Sequence, residues 1–279
     1  MSGPMMTHQK IRRSHAILAL AFATALGGCA GDLPQRHAAT DLKTDLSESL
    51  TRAAEESRSR GDLKGAATLY RQAHAANPEL SAPLILLGQV LSVSGSPNEA
   101  AEAYRKALIM VPDNAEALRG LGNALVAIDQ PELAIGHYEQ ALRVAPEDSR
   151  IYNGLGVSQD LLGKHDAAQK LYRIGLTYKP DDINLLTNLG LSLSFAEKHD
   201  EGIEVLRELV KTPRATAHHR QNLALALGLA GRRDEAAKIA RMDLDNRAVR
   251  ANLAYYATLR ALADPTLRMK AVHARYSKR

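Results

Sequence analysis

The sequence is poor in the large side chains that commonly build β-sheet cores. It has no tryptophan, only two phenylalanines among 279 residues, and 4% aromatic residues overall. Hydrophobic residues still make up 45% of the chain, mainly alanine and leucine, so a core can form. Because aromatic and β-branched residues favour strands whereas alanine and leucine favour helices, this composition predicts closely packed helices.

The sequence also has a single cysteine and only a small excess of positive charge. Cys29 is the only cysteine, which excludes an intramolecular disulfide. The formal net charge is +5, and it falls to +2 when residues 1–28, with three basic residues and no acid, are left out. A chain so nearly balanced is not expected to bind nucleic acid generally.

Cys29 follows a stretch with the layout of a bacterial secretory signal. Three basic residues precede an apolar run over residues 16–26, and small residues come next. Eleven apolar residues are too few to span a bilayer, which needs about 20. The order Leu-Gly-Gly-Cys over 26–29 resembles the lipobox of bacterial lipoproteins, although Gly27 stands where Ala, Ser or Thr is usual. A free thiol behind an ordinary cleaved signal stays open as the alternative.

The lipobox resemblance implies cleavage before Cys29 and a lipid on its thiol. The next residue is Ala30, whereas Asp at this point tends to hold lipoproteins of enteric-type bacteria at the inner membrane. The resemblance therefore implies the outer membrane, with the chain facing the periplasm. We expect a signal peptide over residues 1–28 and a lipidated cysteine with a flexible tether over 29–45.

A period of 34 residues runs through the rest of the chain. Rows that start near residues 47, 81, 115, 149, 183 and 217 align a Leu-Gly pair, a small residue, a tyrosine and a proline. In the second row, Leu84, Leu87 and Leu91 are spaced as one stripe of a helix. Pro97 suits the first turn of another helix, and Pro112 ends it. Each row is therefore predicted to be helix, turn, helix, turn.

This pattern resembles the tetratricopeptide repeat (TPR), a 34-residue helical pair. The resemblance covers about residues 46–246 and implies an all-α fold, a right-handed superhelical solenoid of about six helix pairs with a concave side. Residues 247–279 are expected to form a capping helix and a basic tail. From Thr266 onward the tail has five basic residues and no acid. We expect a frayed, solvated terminus, with contact to anionic lipid or an acidic partner as the alternative.

No catalytic pattern stands out in the sequence. It has no phosphate-binding glycine loop and no His-Glu-x-x-His motif, and the lipid takes the thiol of Cys29. His218 and His219 are adjacent and would point in different directions on a helix, so they make a poor metal-ligand pair. An enzyme with repeat arms is disfavoured because no segment outside the repeats is long enough for a catalytic domain. We predict a non-enzymatic protein with no cofactor, metal or small-molecule substrate.

Partner binding is expected on the first helices of the pairs, which line the concave side of TPR stacks. An amide can both donate to and accept from a peptide backbone, so an asparagine row suits an extended chain. The alternative is that these amides cap turns or bond to neighbouring helices. The predicted polar residues are Arg119, Asn123, Arg150, Asn153, Asn188, Gln221 and Asn222. Apolar residues expected on the same face are Leu86, Val157, Leu191, Phe195, Leu225 and Leu229.

The last third of the chain carries a more specific resemblance. Residues 220–244, followed by Asn-Leu-Ala-Tyr over 252–255, are similar to the end of TadD, the TPR lipoprotein of tight-adherence (Flp) pilus systems. The resemblance implies protein–protein interaction in assembly of the pilus secretion apparatus, with help to its outer-membrane secretin. Other lipidated TPR stacks remain alternatives: pilotins or scaffolds of type IV pilus biogenesis, β-barrel assembly factors and peptidoglycan-hydrolase adaptors.

Overall fold

From the second repeat onward, the first helix of each repeat begins within one residue of where the 34-residue period places it. A computed structural model describes the backbone of residues 33–276 and the side-chain surroundings of residues 41–275. Cys29 and the predicted signal peptide lie outside the described residues. The chain divides into two units, Met1–Asp41 and Leu42–Arg279, and the packing below is that of the second unit.

The described residues form fourteen helices and contain no strand. None of these helices is long and apolar enough to cross a membrane. In chain order they are α1 Leu33–Ser59, α2 Leu63–Ala76, α3 Ala82–Val93, α4 Pro97–Met110, α5 Ala115–Ala127, α6 Pro131–Val144, α7 Ser149–Leu161, α8 His165–Tyr178, α9 Ile183–Phe195, α10 His199–Lys211, α11 Ala217–Leu229, α12 Arg233–Ala240, α13 Asn246–Ala261 and α14 Pro265–Tyr276.

From α2 onward each helix packs against the next along the chain, which gives five consecutive pairs from α3 and α4 to α11 and α12. Helix α2 is joined to α1 by the hydrogen bond from the hydroxyl of Tyr70 to the carboxylate of Glu55. The first helices α3, α5, α7, α9 and α11 also pack on one another in that order. This arrangement confirms the all-α solenoid of paired helices predicted from the period. Proline at the first position of α4 and α6 begins those helices without loss, since the first backbone N–H groups of a helix have no partner within it.

The aligned tyrosines and glycines set the distance between neighbouring pairs. A Cβ atom added to Gly88 would lie 2.7 Å from the ring of Tyr104, and one added to Gly120 would lie 2.4 Å from it. Tyr138 meets Gly122 and Gly154 in the same way. Each ring thus fills a notch between its own pair and the next, which explains why these glycines recur with the tyrosines.

The turn between the two helices of each pair needs one residue in the left-handed backbone region. Glycine supplies it in four pairs, at residues 61, 95, 163 and 231. Asp129 and Glu197 supply it in the other two, with φ of 59° and 64°. This conformation costs a residue with a Cβ roughly 1–2 kcal/mol, so the backbone at Asp129 and Glu197 is strained.

The N-terminal end differs from the expected tether. Helix α1 begins at Leu33, so residues 33–45 are helical and continue directly into the first repeat. The sequence over 33–60 has no glycine, and its single proline, Pro34, lies in the first turn, where helices tolerate it. Nothing in this stretch interrupts the helix that the first repeat begins.

The C-terminal end differs from the expected frayed tail. Helix α13 packs against α11 and α12, but a second helix follows it after a short turn. This helix, α14, folds back against α7 and α9. Pro265 suits its first position, and the buried Val272 with the partly buried Met269 gives it an apolar side. The expectation of a solvated terminus is therefore corrected for residues 265–276.

A candidate partner-binding groove

The first helices line a groove whose two halves differ in exposure. We call the faces of α1, α3 and α5 the open half-groove, and those of α7, α9 and α11 the covered half-groove. The exposed fractions of the two halves can be compared at equivalent residues, namely the last residue of each first helix. Val93 is 75% exposed, and Ala127 is exposed. The equivalent Leu161, Phe195 and Leu229 are at most 2% exposed.

The open half-groove has a cavity of about 550 Å³ between α1 and α3. Its lining combines apolar and polar side chains, namely Glu55, Arg58, Ser59, Leu63, Gln89, Val90 and Val93. The carboxylate of Glu55 pairs with Arg58 at 2.5 Å and accepts a hydrogen bond from the hydroxyl of Tyr70. Burial, followed by the hydrogen bond to Glu55, raises the pKa of Tyr70, so this hydroxyl stays a donor. The cavity therefore presents both apolar and polar side chains to a ligand.

Two of the predicted polar residues share one carboxylate at the start of α7. Arg150 donates two hydrogen bonds of 2.8 Å to Asp148, and the guanidinium of Arg119 lies 3.6 Å from the same group. Burial alone would raise the pKa of Asp148, but the hydrogen bonds from Arg150 and the charge of Arg119 outweigh it and lower this pKa. The Arg150 side chain remains 64% exposed and can reach a ligand.

The predicted amides bond mostly to neighbouring helices. Asn123 accepts a hydrogen bond of 2.7 Å from the hydroxyl of Tyr138 and is itself exposed. Asn188 donates to the side-chain oxygen of Asn153 at 2.8 Å, which joins α9 to α7. Gln221 donates to Asp243 at 3.3 Å. The structure therefore contains the helix-bridging role that the sequence left as an alternative, and it connects Asn153 with Asn188 directly.

Some residues expected on an open face are buried. Asn222 is only 3% exposed, and its helix α11 packs against α9, α10, α12 and α13. Among the expected apolar residues, Leu86, Val157 and Leu191 are partly buried. Phe195, Leu225 and Leu229 are at most 2% exposed. The placement of Asn222 on an open concave face is corrected accordingly.

A buried polar cluster between α7, α8 and α9 was missed by the sequence reasoning. Asp160 is 1% exposed and accepts hydrogen bonds from Ser192 at 2.7 Å and Tyr172 at 2.8 Å. The Nδ1 atom of His165 lies 2.7 Å from the same carboxylate. Burial raises the pKa of Asp160 against the effect of these hydrogen bonds. The available signal was an acid at the helix position where the neighbouring repeats have Val126 and Ser194.

One of the two adjacent histidines, His219, has a local structural role. The ring of His219 accepts a hydrogen bond of 2.9 Å from the backbone N–H of Thr216 and closes a capping box at the start of α11. Among residues the structure describes, no group of three or more His, Cys, Asp or Glu side chains is arranged to hold a metal ion.

Helix α14 lies over the covered half-groove through one charged and one apolar contact. Arg268 is 7% exposed and donates to Glu197 at 3.1 Å and to the backbone oxygen of Leu262 at 2.8 Å. Val272 belongs to the same buried cluster as Phe195, and Met269 packs against that cluster too. Arg268, Met269 and Val272 therefore shield the covered half-groove from solvent, whereas the equivalent face of the open half-groove is exposed.

Comparisons with known proteins agree with this architecture. Two tetratricopeptide-repeat family profiles match residues 51–115 and 93–156, and neither is a catalytic family. MamA is 28% identical with a TM-score of 0.51, and the match covers 57% of this chain and 92% of MamA. Pseudomonas aeruginosa PilF is 19% identical (TM-score 0.57; 84% of this chain, 99% of PilF). PilW, described as a widely conserved type IV pilus biogenesis factor, is 18% identical (TM-score 0.63; 71% and 93%). PilF and PilW share the fold. The comparison with curated proteins gave no match.

Proposed function

We propose that this chain is a non-enzymatic scaffold that binds protein partners along its groove, as the tetratricopeptide-repeat profiles over residues 51–115 and 93–156 and the stack of paired helices support. The observation that carries the proposal is the open half-groove. It presents a cavity of about 550 Å³ and a bare apolar residue, Val93, beside the charged side chains of Glu55 and Arg58. Protein–protein interfaces likewise combine an apolar core with a polar rim.

We further propose where this scaffold works. A lipid on Cys29 would hold it at the periplasmic face of the outer membrane, where it helps assemble a Tad (Flp) pilus secretion apparatus and supports the secretin. The lipobox-like sequence over 26–29 and the resemblance of residues 220–244 to TadD support this placement.

A second candidate is a scaffold or pilotin of type IV pilus biogenesis. It is favoured by the fold shared with PilF and PilW, which extends over 84% and 71% of this chain. A β-barrel assembly factor or a peptidoglycan-hydrolase adaptor would use the same repeats. The proteins that co-purify from detergent-solubilised outer membrane distinguish these functions.

The test of groove binding compares two exposed aliphatic residues. Val93→Lys places a charge in the open half-groove, whereas Ile109→Lys places one on α4, where Ile109 is 81% exposed and outside the cavity lining. We expect Val93→Lys to reduce recovery of the Tad secretin about tenfold or more and Ile109→Lys to leave it unchanged. Equal recovery with both variants would contradict binding in the groove. Recovery of another machine's components would favour the second candidate.

The lipid anchor has a separate test. Cys29→Ser should move the protein from the outer-membrane fraction to the soluble periplasmic fraction, because the serine cannot carry the thioether-linked lipid. The measurement is immunoblotting of separated membrane and periplasmic fractions. Continued fractionation of the Cys29→Ser variant with the outer membrane would refute the lipid assignment.

A further inference from the structure

The two strained turn residues both face the C-terminal helix. Four of the six turns within pairs use glycine in the left-handed region, and the exceptions are the acids Asp129 and Glu197. Glu197 is hydrogen-bonded to Arg268 of α14 at 3.1 Å. Asp129 lies close enough to His273 of α14 for its negative charge to act on that imidazole. Acidic side chains thus stand at turns where glycine would fit more easily. Glu197 pairs with the guanidinium of Arg268, and Asp129 lies near the imidazole of His273, whose pKa burial lowers.

The turn between these two acids is shaped to let α14 approach. A Cβ atom added to Gly163 would lie 2.3 Å from the hydroxyl oxygen of Thr266, so a larger residue here would push α14 away. The equivalent turn glycines of the open half-groove, Gly61 and Gly95, have no neighbouring atom within 4 Å of an added Cβ. The contrast between the turns matches the contrast between the two halves of the groove.

The sequence of α14 is complementary to this surface. Arg268 and Val272 are buried, and Met269 and His273 are partly buried, while Leu267 is 52% exposed. Met269 and Val272 are three positions apart, and Arg268 is four positions before Val272, as Met269 is before His273. The four residues therefore lie on one side of α14, with Arg268 at one end, the apolar pair in the middle and His273 at the other end. The contact remains accessible from its edge, because the Glu197 side chain that pairs with Arg268 is 62% exposed.

We propose that the surface formed by α7, α9 and the turns at Asp129 and Glu197, which we call the latch site, binds a basic amphipathic helix. In the free chain α14 occupies the latch site, and a helix of a protein partner with the same pattern of basic and apolar residues takes its place. Charge complementarity and the seated α14 both define the chemistry of this partner. The inference rests on the proposed function only in that the partner is a protein.

The first experiment asks whether the acids hold α14. Hydrogen exchange of the full chain is compared between the wild type and Glu197→Gly, which restores the residue type found at four equivalent turns. We expect the amides of α14 to exchange about tenfold faster or more in the variant, although its turn is relieved of strain. The matched control is Glu201→Gln, which alters an exposed carboxylate on the same repeat as Glu197; this carboxylate lies near Arg173 of the preceding repeat. Unchanged protection of α14 in Glu197→Gly would overturn the proposal.

The second experiment asks whether another helix can take the site. A fluorescent peptide with the sequence of residues 263–279 is titrated into the wild-type full chain and into Arg268→Ala and Arg268→Gln full chains, with folding checked by circular dichroism. We expect binding at least tenfold tighter to the variants, because their own α14 is weakly held. The same peptide with Arg268→Ala should bind poorly.

The outcomes separate this inference from the proposed function. Equal binding of both peptides, or binding to none of the folded chains, would overturn the latch site. Either result can occur while the secretin still co-purifies with the wild-type protein. Conversely, the peptide can bind as expected when no secretin is recovered.

Discussion

Val93 and Phe195 occupy the same position in two repeats and have opposite surroundings. Each is the last residue of a first helix, in α3 and α9. Val93 is 75% exposed, whereas Phe195 is fully buried in a cluster that includes Val272 of α14. The repeat determines which face these residues share, but a segment outside the period determines whether that face is free. A repeat pattern alone therefore identifies a binding face without indicating what covers it.

The largest expected effect tests this contrast in stability. Phe195→Ala should lower the free energy of unfolding by about 3–5 kcal/mol, because a buried ring leaves a cavity. Val93→Ala should change it by about 0.5 kcal/mol or less, because the side chain already meets water. Urea unfolding followed by circular dichroism measures both. Similar losses in the two variants would show that the two halves of the groove are equally covered.

A smaller effect compares polar bridges between first helices. The pair Asn153 and Asn188 joins α7 to α9 at 2.8 Å in a partly buried setting, while Gln89 donates to Glu116 at 2.7 Å in an exposed one. Double-mutant cycles with alanine should give a coupling of about 1 kcal/mol for the first pair. For the second pair we expect about 0.5 kcal/mol or less. A coupling near zero between Asn153 and Asn188 would show that their hydrogen bond does not stabilise the stack, and would favour a role for these amides in binding a partner.

The smallest effect is a pH dependence of the covered half-groove. Burial lowers the pKa of His273 below 6.5, and the charge of Asp129 opposes this only in part. The released helix therefore binds a proton more readily than the docked one, so docking weakens as the pH falls below about 6.5. Exchange of α14 amides, corrected for the intrinsic pH dependence, should be a few-fold faster at about pH 5.5 than at about pH 7.5.

His273→Gln provides the control for the pH effect. Burial also lowers the pKa of His199, which is close to Glu197 and Arg268, so a residual dependence is expected in this variant. The open half-groove should show no corresponding change in exchange. A pH dependence of α14 that is unaltered by His273→Gln would assign the effect to His199 or to another group.

The features that were predictable from sequence are those that the period repeats. The helix starts from the second repeat onward and the helix ends before proline depend on short-range spacing, and they are present as expected. The alignment of tyrosine and glycine on the same period is explained by the contacts between them. The helix over residues 33–45 was also readable, since that stretch lacks glycine and its Pro34 suits a first turn. The interpretation as a tether gave too much weight to its polar composition.

The covered half-groove could not be predicted in the same way. A basic, acid-free terminus is typical of a solvated tail, and the partner that lets Arg268 be buried is Glu197, 71 residues earlier in the chain. Asn222 was assigned to an open face because its repeat position matches that of Asn188, but it is buried in α11, a helix that packs against four others, including α13 beyond the last repeat. Both outcomes depend on contacts between distant segments that no local pattern encodes.

The limited extent of the open half-groove has a consequence for ligand length. Three first helices about 9 Å apart give a free track of roughly 20 Å, which an extended peptide covers with about six residues. A ligand lengthened toward α5 should gain affinity with each added residue. Beyond that point the gain should stop at α14, and it should resume only for ligands long enough to offset the release of that helix.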